Sequence, residues 1–355
     1  MKNRYTMQDI ASRLGITKMT VSRYLKDPSK VAESTGSRIA AAIEELGYIP
    51  NRAPAMLAKS SSQAIGLVIP SFSNMVFSDL IRGVSEKASQ AGYSVLITHM
   101  GYNMEEEEKQ VASLLSYQMD ALILTEPRHS PLTVKRIKDT HLPTVEVMSL
   151  PYRPLDMAIG LDHEAIAYQA VKALIACSRR QIVYLSVRLD TRNMIRQEGY
   201  SRAMNEAGLV PKVYSSPERS TFTLAGKLMR EALDDCPQLD AILCTNDDVA
   251  VGAMLYCQSV GVKIPEDIAI LGYNGLNIGD ATIPRLCSIA TPRYEMGSMA
   301  MDLILKRLAG EKITRRKIKL HHTVTNGATV TPAELKALLA TVPDGRPSPA
   351  HRGDY

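Results

Sequence analysis

Residues 6–25 read TMQDIASRLGITKMTVSRYL, and the parsing of this stretch decides the amino-terminal fold. Thr6 followed three residues later by Asp9 has the form of a capping box and predicts a helix start. Ile10, Ala11 and Leu14 then recur at helical spacing. Gly15 interrupts, and Thr17 can cap a second helix, KMTVSRYL. In that helix Val21 and Leu25 point inward, while Lys18, Met19, Ser22 and Arg23 fall largely on the opposite side. Two short helices about a tight glycine turn make a helix-turn-helix. A third helix, SRIAAAIEELG, carries Ile39, Ile43 and Leu46 on one stripe and Gly47 as its stop.

The second helix of such a motif is the one that enters a DNA major groove. Arg23 can make paired hydrogen bonds with guanine, Lys18 can reach a guanine or a phosphate, and Met19 can touch a thymine methyl. Thr17, Thr20 and Ser22 are short donors suited to phosphate oxygens. Thr6 joins them as a candidate DNA contact. A small helical bundle with a solvated polar face has the same periodicity, so the charge distribution matters. Residues 1–60 hold ten Lys and Arg against five Asp and Glu. The remaining 295 residues hold 32 of each sign, so the whole net charge of +5 sits in the short amino-terminal segment. Positive charge concentrated this way favours polyanions, because each phosphate neutralised releases counterions.

The next segment, 47–60, reads GYIPNRAPAMLAKS. With TVSR at 20–23 and YIPNR at 48–52, the stretch resembles the headpiece and hinge of the LacI-type repressor family, a far more specific match than a bare helix-turn-helix. The resemblance implies a hinge helix over 51–58, with Asn51 as N-cap and Leu57 wedging into the minor groove at the operator centre. A helix of roughly eight residues is too short to stand alone in water. Pro54 lies in its first turn, where a missing N–H costs little. The hinge is therefore expected to order only when two copies meet over DNA. Two residues depart from the family pattern: Ala32 and Gly36 stand where Ser and Arg are common. Both changes remove phosphate contacts, and Gly36 also weakens helix propensity by up to ~1 kcal/mol.

From Ala64 onward short apolar runs alternate with helical segments. AIGLVIP, YSVLITHM, DALILTE, LPTVEVM, QIVYLSV, LDAILCTN and IAILGYN each read as a buried strand. Strands alternating with helices indicate parallel sheets covered on both faces. A break near 157–162 separates two groups of strands and suggests two similar lobes. The acidic run 105–108 follows Asn103 and precedes Val111, Leu114 and Leu115 on one stripe, so it reads as a solvated helix start and not a metal site. IGLVIPSFSN, CTNDDVAVGA, IPEDIAILGYN and TPRYEMGSMAMDLIL extend the family resemblance over residues 6–330. It implies an all-α helix-turn-helix headpiece plus an α/β two-lobed, periplasmic-binding-protein-like core with parallel sheets. The expected organisation is a headpiece over 1–49, a hinge and linker over 50–61, and a ligand-binding and dimerisation core over 62–330. An extension, 331–355, follows. In it TPAELKALLATV reads as one helix and PDGRPSPAHRGDY as disordered.

Ligands of open α/β sheets bind beyond the carboxyl ends of the strands. That rule selects Phe72, Ser73 and Asn74 after the first strand, Glu126 after the third, and Glu146 in the fourth. It also selects Arg192 and Arg196 after the strand ending near Val187, then Asn246 and Asn274. Arg196, Asn246 and Asn274 match ligand-contacting positions of the family. The family often has Asp at 274, which would repel a bound carboxylate, whereas Asn donates and accepts without charge. Two arginines nearby can bind a carboxylate through paired, charge-assisted bonds. Together these residues favour a sugar acid over a neutral sugar, and within the family the chain looks most similar to the gluconate and idonate repressor group. Asp162 and Asp247 read chiefly as helix N-caps.

The expected partners are a pseudo-palindromic double-stranded operator, a small sugar or sugar-acid effector, and a second copy of the chain, with higher assembly also open. No cofactor and no metal is expected, since the five cysteines form no CxxC pair and the seven histidines show no metal spacing. Two rival classes remain. An enzyme would be expected to show a Walker A loop, GxGxxG, HExxH or GxSxG, and none is present. A sugar-binding protein of the same core fold without a regulatory role is expected to carry an export signal and no basic headpiece. The amino terminus has no apolar signal-type stretch and no membrane span is present, so cytoplasm and reduced thiols are the expectation.

Overall fold

The computed structural model describes residues 5–50 and 61–343. The expectations placed on 51–60, including the hinge helix, Asn51 and Leu57, lie outside the described residues, as does the tail 344–355. The chain divides into two units between Ser62 and Gln63.

The first unit is a three-helix headpiece: α1 (Met7–Leu14), α2 (Lys18–Lys26) and α3 (Glu33–Leu46). Thr6 and Asp9 form the anticipated reciprocal capping box, and Gly15 ends α1 at φ 66°. Thr17 caps α2 by accepting from the Thr20 N–H, and Gly47 closes α3 in the left-handed conformation. Ile10, Ala11, Val21, Ile39, Ala42 and Tyr48 form the core. Arg38 fastens α3 to the end of α1 through the Leu14 carbonyl at 2.9 Å. The two departures have local explanations. Ala32 stands at the α3 N-cap without a side-chain cap, so that helix end is left weaker. Gly36 is buried, and a Cβ there would sit 3.3 Å from the Tyr24 ring. The glycine lets α3 lie close to α2, a packing role in place of a phosphate contact.

The second unit is an α/β core of two lobes. In the first lobe β1 (Ala64–Ile69), β2 (Ser94–His99), β3 (Ala121–Leu124), β4 (Thr144–Ser149), β5 (Met157–Leu161) and β11 (Lys317–Lys319) form one sheet in the order β11-β5-β4-β3-β1-β2. In the second, β6 (Ile182–Val187), β7 (Lys212–Ser216), β8 (Ala241–Cys244), β9 (Ala269–Asn274), β10 (Cys287–Ala290) and β12 (Thr323–Val324) form another in the order β12-β10-β9-β8-β6-β7. All pairings are parallel except β10 with β12. The helices are α4 (Ser78–Gln90), α5 (Met104–Ser116), α6 (Pro131–Thr140), α7 (His163–Ala176), α8 (Thr191–Glu206), α9 (Phe222–Asp235), α10 (Asp247–Ser259), α11 (Arg293–Leu308) and α12 (Pro332–Leu339).

Every apolar run named from sequence is a strand, but the 157–162 break is not a break. Met157–Leu161 is β5, fully buried, and the chain leaves the first lobe only at Asp162, which caps α7. It returns at Thr291 and Pro292 and crosses a third time between β11 and β12. The second strand does not share the burial expected of it; β2 is the edge of its sheet and half exposed. The acidic helix start is likewise more than a solvated face. Asn103 caps α5 as anticipated, yet Glu107 is fully buried and lies 2.8 Å from the His129 Nδ1. Burial alone would lower the His129 pKa, but its bonds to Glu107 and Glu146 outweigh that and raise it to about 9. The imidazolium is thus an internal counter-ion for two buried carboxylates.

In the extension, Thr331 and Glu334 form a second capping box, and Glu334 pairs with Arg179 of the turn after α7. Val330, Leu338 and Val342 enter the core. This helix completes the covering of the second lobe.

Candidate functional site

Two surfaces carry the candidate residues. On the headpiece, Thr17, Lys18, Met19, Ser22 and Arg23 are exposed and Thr20 is half exposed, while Val21 between them is fully buried. Met19 is 68% exposed, which leaves its side chain open to contact with a thymine methyl. Arg23 has no ion pair among the described residues, so its guanidinium is free to pair with a base. The hydroxyls of Thr6 and Thr17 are engaged in their own helix caps, and Thr17 also lies 2.9 Å from the Thr20 hydroxyl. Thr17 and Thr20 hold the start of the reading helix in shape as well as facing outward, and Thr6 does the same for α1.

In the core, each sheet has the doubly wound order in which the chain reverses direction between two neighbouring strands, β1 and β3 in one lobe, β6 and β8 in the other. Loops diverge at such points and leave a crevice at the strands' carboxyl ends. The two crevices face each other across a cavity of about 30 Å³ lined by Asn74, Met148, Arg188, Arg192, Arg196 and Asn274, among others. Asn246 also borders it. Five of the nine candidates named from sequence therefore meet in one place, while Ser73 is bonded to the Ser71 hydroxyl at 3.0 Å and lies outside the lining. Phe72 does not: it is 60% exposed, packed edge-on against His99 beside a different groove. Glu126 lies behind the cavity wall, bound to Arg192 at 2.6 Å. Glu146 is taken up by the Leu155 N–H and by His129.

Sequence reasoning passed over Arg188, although it directly follows β6 and the strand-end rule applies to it as much as to Arg192. It also passed over Met148. Met148, Arg188 and Asn274 have φ of 78°, 70° and 107°, a region non-glycine residues enter only under constraint. Three such residues around one cavity single it out as the candidate site, because backbone strain is often retained where geometry matters.

The arginines are arranged by the two lobes together. Arg192 donates to the Thr125 carbonyl and to Glu126, both at 2.6 Å. Arg196 donates to the Thr245 carbonyl at 2.6 Å and lies 3.8 Å over the Tyr273 ring. Arg188 donates to the Tyr102 hydroxyl at 2.9 Å across the cavity. Burial and the Arg196 and Arg192 charges push the His163 pKa well down, so the ring is neutral. Its Nε2–H donates to the Met148 carbonyl at 3.1 Å, which leaves Nδ1 to accept from the Tyr273 hydroxyl at 2.8 Å. Arg293 also spans the lobes, from Asp79 of α4 to the Asn274 carbonyl.

Asn246, not Asp247, caps α10 through the Val249 N–H. Asp247 is fully buried and accepts from the Leu276 N–H at 2.6 Å and the Ser288 hydroxyl at 2.5 Å, which fixes the loop beyond Asn274. Burial raises its pKa from 3.8 to about 7. Between those values the unfolded chain releases a proton that the folded protein keeps, so stability falls as pH rises from about 4 to about 7. Asp247→Asn keeps the bond from Leu276 and can donate to the Ser288 oxygen. It should flatten the dependence of the urea midpoint on pH, removing a penalty on the order of 4 kcal/mol at neutral pH. Parallel pH profiles for the two proteins would rule this out.

Residues 6–51 match the model described as bacterial regulatory proteins, lacI family, and residues 62–326 match periplasmic binding proteins and sugar binding domain of LacI family. The chain belongs to the LacI family. It is a DNA-binding transcriptional regulator with a core of the sugar-binding type. It is 44% identical to the HTH-type transcriptional regulator GntR of Escherichia coli (strain K12), over 93% of this chain and 99% of that protein. It is 40% identical to the regulator IdnR of the same strain, over 93% and 100%. A LacI-family regulator from Silicibacter pomeroyi has a solved structure that superposes with a TM-score of 0.86 at 26% identity, covering 92% of this chain and all of that one. The fold, headpiece and lobes described above are those of this family. No helix among the described residues is long and apolar enough to cross a membrane.

Proposed function

We propose that this LacI-family regulator is a homodimeric repressor of sugar-acid catabolism, released from or held on a pseudo-palindromic operator by a gluconate- or idonate-like effector bound between the lobes. The observation that carries this reading is the cavity's charge. Three arginines and a single carboxylate, Asp190, line it, and the amides of Asn74, Asn246 and Asn274 complete its polar wall. Guanidinium groups suit a carboxylate, and neutral amides suit hydroxyls of either sense. Thr6, Thr17, Lys18, Met19, Thr20, Ser22 and Arg23 form the groove-reading surface; the operator contacts that the family resemblance implies for Asn51 and Leu57 fall outside the described residues.

The cavity of about 30 Å³ has room for one water, far less than a six-carbon acid needs. Effector entry therefore parts the lobes and loosens bonds that cross between them, from Arg188, Arg293 and His163. Effector occupancy and lobe angle become one equilibrium, and the shift in DNA affinity is bounded by the effector's differential affinity for the two states. The relatives are regulators, and no chemistry is asked of the site.

The test is a thermal-shift screen of gluconate, idonate, glucose and glucitol, followed by operator binding in the presence of each hit. A specific ligand at 100 times its Kd should stabilise the protein by about 2.7 kcal/mol. A rise confined to the neutral compounds, or turnover of any of the four, would overturn the reading.

A further inference from the structure

The three guanidinium groups of the cavity are not equivalent. Arg192 is nearly inaccessible, and both ends of its fork are already used, by the Thr125 carbonyl and the Glu126 carboxylate of the opposite lobe. A ligand carboxylate that captured Arg192 would strand Glu126 as a buried, unpaired charge, which is strongly unfavourable. Burial already raises the Glu126 pKa, and Asp190 and Glu107 add to that effect, so nothing nearby could replace the arginine.

Arg196 is buried as deeply, but among the described residues neither it nor Arg188 is paired with a carboxylate. Each has one terminal nitrogen anchored, to the Tyr102 hydroxyl and to the Thr245 carbonyl respectively. Each lies over a tyrosine ring, Arg188 at 4.9 Å from Tyr102 and Arg196 at 3.8 Å from Tyr273, so that ring packing fixes the plane of the fork. In both, Nε is buried and has no hydrogen-bond partner. Buried polar groups are rarely left unpaired, and a charged donor costs most when it is. Nε and a terminal nitrogen are the pair of parallel donors that a carboxylate accepts from. Both arginines line one cavity, and parting the lobes for an effector would bring these orphaned donors within its reach. The left-handed backbone at Arg188, which follows β6 directly, is a conformation that non-glycine residues adopt only under constraint.

Resting on the sugar-acid reading above, we propose that Arg188 and Arg196 jointly hold the effector's carboxylate, and that Arg192 is reserved for Glu126 as a fixed bond between the lobes. Arg188 is then the residue that makes the site prefer an acid over the corresponding polyol. Asn246 and Asn274 face the hydroxyl-bearing chain.

The experiment titrates gluconate and D-glucitol, which has CH2OH where gluconate has a carboxylate, into the full-length wild type and four variants. Arg188→Met keeps the apolar stem over Tyr102 and removes the charge. It should weaken gluconate by about 30- to 1,000-fold and change glucitol by less than about threefold. Arg188→Lys, which keeps charge but not paired donors, should fall between. Glu126→Gln, and the double variant Glu126→Gln with Arg192→Gln, which leaves no orphaned charge, should retain the preference for the acid. Melting curves report whether each variant is folded. The proposal is overturned if Arg188→Met weakens both compounds equally or neither. It is also overturned if the double variant loses the preference while Arg188→Met keeps it. A wild type that binds neither compound would remove the sugar-acid reading and this assignment together, whereas binding of gluconate with an indifferent Arg188 removes only the latter.

Discussion

Arg23→Ala should weaken operator binding by about 1–3 kcal/mol for each half-site, while binding to random duplex falls far less. For a dimer gripping two half-sites the loss is about 2–6 kcal/mol, roughly 30-fold to more than 10,000-fold. The size follows from the position. Arg23 lies on the exposed face of α2, one turn from Met19, with Val21 turned into the core between Ile10 and Ile39. Its guanidinium makes no ion pair among the described residues, so the substitution removes a base contact and leaves headpiece packing untouched. Lys18→Ala is the contrast. Without its ammonium group on a phosphate, affinity should drop for all sequences alike and the salt slope should shrink by about one. Fluorescence anisotropy with operator and scrambled duplexes across a salt series separates the two outcomes. Equal losses on both duplexes for Arg23→Ala would show that this residue touches only the DNA backbone.

How much could be read beforehand depended on how local the information was. The headpiece was legible almost residue by residue because its signals lie within four positions of one another: Thr6 with Asp9, Thr17 with Thr20, glycines at 15 and 47. Six of the seven strands were legible because a parallel strand buried on both faces is a continuous apolar run, and β2, although half exposed at its sheet edge, still carries the apolar stretch 95–97. β7, KVYSS, was invisible for the complementary reason, since an edge strand with polar side chains has no run to detect. β5 was hidden by the turn-rich segment before it.

The site shows the same division. Strand ends pointed to Asn74, Arg192, Arg196, Asn246 and Asn274, and these converge. What no local pattern could give was which donors are occupied. Arg192 and Arg196 stand four apart on α8 and look identical in sequence, yet one is bound to a carboxylate from residue 126 and the other to a carbonyl at 245. Glu107 and Glu126 illustrate the general case. An acid is read as solvated or ligand-binding from its neighbours in the chain, but its partner, His129 or Arg192, is brought by the fold. Gly36 is similar, since its reason is the Tyr24 ring twelve residues earlier.

Arg196→Ala should abolish the effector response. The operator affinity of the variant should be the same with and without effector, and effector affinity itself should fall by about 30-fold or more. Arg196 stands where three requirements meet. It borders the cavity with a free Nε, it caps the end of β8 through the Thr245 carbonyl, and it covers the Tyr273 ring. Tyr273 in turn donates to neutral His163, which donates to the Met148 carbonyl at the end of β4 in the other lobe. A charge arriving at Arg196 is therefore one packed ring and two hydrogen bonds away from the opposite lobe, a contiguous path between binding and lobe angle. Because the arginine is buried, Ala also leaves a void, so some stability is lost as well. Arg196→Lys separates the effects: it keeps a cation near the ring but not the paired donors, and should bind effector weakly while melting closer to wild type. Effector titrations monitored through operator release, run beside melting curves, give both numbers. An unchanged titration for Arg196→Ala would take Arg196 out of the site and leave its stacking on Tyr273 as a purely structural contact.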